Sequence, residues 1–111
     1  MFHIYLTSQS GQGFANPASA GTPERLTTVQ YTHAAKQVTI KGIKSSRTNN
    51  AGTVYVGTTA TNDDQQFDVA PGVERTFEAP KGQLIDPYDI FIDIVTAGDG
   101  AWWYAGNKIN A

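Results

Sequence analysis

The sequence predicts an all-β protein: a single antiparallel β-sandwich, jelly-roll-like, of about eight short strands, with an immunoglobulin-like sandwich as the second choice. Three observations point there. No window of about 11 residues keeps an apolar stripe at i, i+3, i+4 and i+7 without a proline or glycine interrupting it. Short alternating stretches rich in Val, Ile, Thr and aromatic residues recur instead. Turn-forming residues separate them roughly every 8–12 positions, the spacing of sandwiches and barrels. A length of 111 residues without cysteine suits one domain, residues 1–111, held by packing and not by disulfides.

In chain order, strands are expected near 2–8 (Phe2, Ile4 and Leu6 on one face), 25–33 (Leu26, Val29, Tyr31), 36–45 (Val38, Ile40, Ile43) and 53–59 (Val54, Val56). They continue near 65–70 (Phe67, Val69), 73–79 (Val73, Phe77), 89–96 (Ile90, Ile92, Ile94) and 101–105. Gly42 breaks the alternation between Ile40 and Ile43 as a β-bulge would. Among the turns, "RTNNAG" (47–52) supplies Asn49, Asn50 and Gly52, and "APG" (70–72) sets Pro71 and Gly72 where a type II turn wants them; "PKG" and "DPYD" follow similar logic. Residues 8–24, "SQSGQGFANPASAGTPE", are small, polar, Gly or Pro apart from Phe14, and read as a long flexible loop or arm with Phe14 as its anchor. Its "GQGFAN" is no dinucleotide fingerprint, because Pro17 and the small residues after it supply no helix N-terminus for a phosphate.

The stretch "TAGDGAWWYAG" (96–106) reads as a hairpin. A two-residue turn over 97–100, with Gly98 at the positive-φ position of type II′, would set Val95 opposite Trp102, Ile94 opposite Trp103 and Asp93 opposite Tyr104. Trp103 then shares the core face with Ile90, Ile92 and Ile94. Phe91, Val95, Trp102 and Tyr104 form an outer aromatic patch, to be covered by another subunit, the 8–24 arm, a sugar or the chain's own loops. A one-residue change of turn would exchange the two tryptophans, but adjacent strand residues face opposite ways in any register.

Little else carries chemistry. His3 and His33 stand on separate expected strands with no metal or triad spacing, and no nucleophile-elbow, P-loop, zincin or EF-hand motif occurs. Asp63, Asp64 and Asp68 fall together, as do Asp86, Asp89 and Asp93, but "NDDQQFD" lacks the glycine-spaced ligand ladder of a calcium loop and Asp89 and Asp93 lie on an expected strand. Glu74 and Glu78 share a strand face, but their backbones stand roughly 13 Å apart, wider than a glycosidase pair. The expectation is a protein that is not an enzyme, with no cofactor and no metal.

A net charge of −2 argues against nucleic acid, no apolar run approaches the roughly 20 residues of a membrane helix, and "MFHIYLTSQS" reads as part of the fold and not as a secretory signal. The distribution of charge is uneven. Residues 1–50 carry Arg25, Lys36, Lys41, Lys44 and Arg47 against Glu24, a balance of +4, while residues 51–111 carry three positive and nine negative side chains, a balance of −6. Such halves attract one another as neighbouring strands, or dock one copy onto another or onto a larger surface.

With residues 37–105 laid out, the stretches "NNAGTVYVGTT", "FDVAPGVERTFEAP" and "IDPYDIFIDIVTAGDGAWWYA" resemble small structural proteins of tailed-phage particles, nearest to the decoration or "staple" proteins of epsilon15-like podovirus capsids. The likeness covers about two-thirds of the chain, and residues 8–24 fall outside it. It implies a sandwich module on the outer capsid surface that pairs with a second copy of itself as a homodimer and clamps neighbouring major capsid protein subunits. The interface candidates are Phe91, Val95, Trp102, Tyr104, Phe14, Lys41, Lys44 and Arg47. The other reading from the same patch is a carbohydrate-binding β-sandwich module of a phage attachment structure, a head fibre or tail, with Trp102 as its stacking platform.

Overall fold

The alternation in "QVTIK" decides the layering: Val38 and Ile40 are fully buried while Gln37, Thr39 and Lys41 are half-exposed, so this strand buries one face only. The computed structural model describes residues 11–28, 35–58 and 67–106. Within them run eight strands: β1 (Gly11–Ala15), β2 (Glu24–Arg25), β3 (Gln37–Lys41), β4 (Val54–Gly57), β5 (Phe67–Val69), β6 (Glu74–Glu78), β7 (Phe91–Ile94) and β8 (Ala101–Gly106). One turn of 3₁₀ helix, Pro87–Asp89, precedes β7 and is capped by the Asp86 carboxylate, which accepts from Tyr88 N.

The strands form two antiparallel four-stranded sheets, in the orders β1-β8-β3-β6 and β2-β7-β4-β5. Hydrogen-bonded pairs include β1 with β8, β2 with β7, β3 with β6 and β4 with β5. The first four strands thus fold back on the last four as one long rolled hairpin, the nested connectivity of a jelly roll. The core lies between the sheets. Val38, Ile40, Ala101, Trp103 and Ala105 come from one side, and Val54, Val56, Val69, Ile92 and Ile94 from the other. Trp103 fits because the positions around it are small: Ala101 and Ala105 flank it on β8, and Gly13 faces it on β1 with the indole 3.0 Å from where a Cβ would stand.

Six of the expected strands reappear as β3 to β8 with shifted ends. The expected strand 2–8 lies outside the described residues, and of 25–33 only the start is described, with Arg25 in β2 and Leu26 in the core. Three expectations need correction. The first concerns the 8–24 loop or arm, because Gly11–Ala15 is an edge strand paired with β8 from Gly11↔Ala105 to Ala15↔Ala101. Its glycines and alanine are small enough to lie over Trp103, and backbone pairing supplies what apolar area does not. The second concerns Gly42, which centres a tight three-residue turn in place of a bulge. Ile43 N donates to Lys41 O at 3.0 Å, and Gly42 O accepts from Gly72 N at 2.8 Å. A Cβ there would meet Ala70 O at 2.9 Å.

The third correction concerns the hairpin. β7 and β8 do not pair: they lie in different sheets, β7 between β2 and β4, β8 between β1 and β3. Residues 95–100 cross from one sheet to the other. Gly98 does take a positive φ of 92°, but in a turn one residue earlier, closed by Asp99 N donating to Thr96 O at 3.2 Å. Side-chain hydrogen bonds hold this crossing. The fully buried Asp99 carboxylate accepts from Ala51 N (2.9 Å) and Gly52 N (2.8 Å), while the Asn50 carboxamide donates to Gly100 O (2.8 Å) and accepts from Gly100 N (3.1 Å). A buried carboxylate without donors is expensive, so its two N–H partners fix where the chain crosses. The type II turn over 70–73 is as expected, with Gly72 at φ 75° and Val73 N bonded to Ala70 O at 3.0 Å.

Candidate functional site

The outer face of the β1-β8-β3-β6 sheet follows from strand register. Phe14, Trp102, Lys41 and Glu74 stand opposite one another in one row across the four strands; Gln12, Tyr104, Thr39 and Thr76 form the next. Residues in register share a face, with Cβ atoms about 5 Å apart. Trp102 is the centre of the first row. Its ring lies 5.1 Å from that of Phe14 at 45°, and its Nε1–H donates to Lys44 O at 3.3 Å. The Arg47 guanidinium stands 5.8 Å from its centroid, in cation–π range.

The 44–48 turn brings Arg47 there. Lys44 N donates to Thr48 O, Arg47 N donates to Lys44 O, both at 2.8 Å, and Arg47 itself takes φ 69°. A left-handed conformation costs a non-glycine residue roughly 1–2 kcal/mol. The turn therefore holds a cation over Trp102 at a local cost that glycine would avoid.

Six of the eight interface candidates come together on this face: Phe14, Lys41, Lys44, Arg47, Trp102 and Tyr104. Phe91 and Val95 do not join them, because β7 belongs to the other sheet. Phe91 lies on the far side of the sandwich under Arg25, whose guanidinium is 4.8 Å from its ring and 3.8 Å from that of Tyr88, and whose Nη1 donates to Tyr88 O at 2.7 Å. Val95 is exposed just after β7, beside Gly52. The continuous four-residue aromatic patch is thus divided between two faces. The Arg25 clamp was not legible, since no short-range pattern links residues 63 positions apart.

The acidic residues are spread out. Asp93 Oδ1 accepts from Gly21 N at 2.9 Å, Asp68 meets Arg75 at 3.4 Å on the opposite edge, and Asp86 caps the 3₁₀ turn. Among the described residues no group of three or more His, Asp or Glu side chains is placed to hold a metal ion. His3, His33, Asp63 and Asp64 lie outside the described residues. Compared with family models, with curated proteins and with solved structures, the chain matches none.

Proposed function

We propose that this chain is a viral structural protein that decorates the outer surface of a phage capsid and stabilises the shell by clamping neighbouring major capsid subunits. The observation that carries the proposal is the cluster on one open sheet face. Trp102 is braced by Phe14, with Lys41 beside it on β3, its N–H on the Lys44 carbonyl and the Arg47 guanidinium at its ring. Aromatic and arginine side chains dominate the energetics of protein interfaces, and cations such as Arg47 and Lys41 beside the ring steer such a face toward an acidic partner. The resemblance of residues 37–105 to phage staple proteins points the same way, as does a nested sandwich connectivity of the kind found in capsid and lectin domains.

The mechanism is mass action: a protein that binds the assembled lattice and not its separated subunits stabilises the lattice. Pairing with a second copy on the shell adds a second foothold, and its effective concentration multiplies the strength of two modest contacts. Mixing the protein with undecorated capsids tests the reading. Co-sedimentation with a gain in heat or chelator resistance is expected, along with loss of both in Lys41→Glu/Lys44→Glu. Capsids that neither bind the protein nor gain resistance would end the proposal.

A further inference from the structure

We infer that Tyr104 is the stacking platform of a binding site for a neutral oligosaccharide, adjoining the Trp102 cluster on the same sheet face and independent of the capsid reading. The two aromatic residues differ in what already covers them. Trp102 is half-buried, with Phe14 and Arg47 at its ring and its N–H committed to Lys44 O. Tyr104 is 47% exposed, and its hydroxyl has no hydrogen-bond partner among the described residues.

Its ring leans along β8 over Gly106. Cε2, Oη and Cζ lie 2.6, 3.0 and 3.1 Å from where a Cβ of residue 106 would stand. Any other residue at 106 would displace the ring. With glycine there, the ring keeps this place along the strand while much of it stays exposed, and an exposed aromatic face is the part on which the C–H face of a sugar stacks.

The neighbours are uncharged hydrogen-bonding groups. Gln12 and Thr39 stand directly opposite Tyr104 on its two sides, Gln37 stands opposite Gly106, and Thr76 lies beyond Thr39. The Thr39 and Thr76 hydroxyls are 2.8 Å apart, so one of their two protons bridges them and the other remains to donate. A protein hot spot is normally ringed by contacts that exclude water. Here amides and hydroxyls surround the ring, complementary to the equatorial hydroxyls of a pyranose. Charges flank this row on both sides, Lys41 opposite Glu74 in one adjacent row and Glu78 opposite Gln37 in the other.

The test is a titration of the isotope-labelled protein with neutral hexasaccharides of glucose, mannose and galactose, read by amide chemical shifts. Saturable shifts at Gln12, Thr39 and Tyr104 with at least one sugar are expected. Tyr104→Ala should weaken that binding about tenfold and Tyr104→Phe should keep it within about threefold, since the ring and not the hydroxyl does the stacking. Thr39→Val, which keeps the branched shape, should weaken it measurably, and so should Gly106→Val, which displaces the ring without removing it. Binding of none of the three sugars at millimolar concentration, or equal binding by Tyr104→Ala, overturns the inference. Arg47→Gly, expected to weaken capsid co-sedimentation, should leave the sugar-induced shifts at Tyr104 in place, so the two readings are told apart.

Discussion

Asn50 holds Gly100 by both ends of its carboxamide, Nδ2 donating to the glycine carbonyl at 2.8 Å and Oδ1 accepting from its N–H at 3.1 Å. The two residues are 50 positions apart and both are buried. Together with Asp99 on the N–H groups of Ala51 and Gly52, this tie anchors the crossing from β7 to β8 against the segment that leads into β4.

Asn50→Ala strands two buried backbone groups at once, and its expected cost is on the order of 2–4 kcal/mol. Asp99→Ala should cost a similar amount. Because both substitutions release one connection, the double variant should lose clearly less than the sum, measured by urea unfolding. Strict additivity would show that the two ties act separately.

The tryptophans should part company in the same measurement. Trp103→Ala empties the centre of the core and should cost about 3–5 kcal/mol. Trp102→Ala gives up a half-exposed ring and a contact with Phe14 worth about 0.5–1.5 kcal/mol, so the fold should survive while capsid association weakens. Equal destabilisation by both would contradict the division between core face and outer face.

Gly13 is a packing requirement and not a turn requirement. A methyl group there meets the Trp103 indole at 3.0 Å, so Gly13→Ala should destabilise by about 1–3 kcal/mol through overpacking. In a Trp103→Leu background the same change should cost almost nothing, a coupling that a double-mutant cycle reads directly.

Arg47→Gly should separate stability from binding. Relief of the left-handed backbone gains roughly 1 kcal/mol, partly offset by the lost cation–π contact and the added chain freedom of glycine, so unfolding should be unchanged or slightly harder. Association with capsids should fall, because the cation beside Trp102 is gone. A variant that unfolds more easily would show that the arginine is there for the fold.

Much of this architecture was legible because alternation is a local property. Val38/Ile40, Val54/Val56 and Ile92/Ile94 announce their strands within a few residues, and Pro71-Gly72 announces its turn. That Trp102 and Trp103 face opposite ways was legible for the same reason, but the choice of Trp103 as the inward one rested on a pairing of β7 with β8 that does not form. β1 was hidden because "GQGFA" has almost no apolar signal of its own; it is a strand because β8 offers it an edge and Trp103 needs small neighbours. The interface candidates were legible as residue types and only partly as a surface.

By itself the sequence determined the fold class, the period of each strand and the opposition of Trp102 to Trp103, since pleating and turn geometry act over a handful of residues. Tertiary structure alone decided which strands are neighbours. Gly98 and Gly100 would equally allow a hairpin that keeps β7 and β8 together, and the competition was settled by groups far away in the chain. Asp99 finds its donors at residues 51 and 52, Gly100 finds Asn50, and β8 finds β1 and β3. Those partnerships sent Phe91 to one face of the sandwich and gathered Phe14, Lys41, Lys44, Arg47, Trp102 and Tyr104 on the other, because burying polar groups with their partners satisfied outweighs the local preference of a turn.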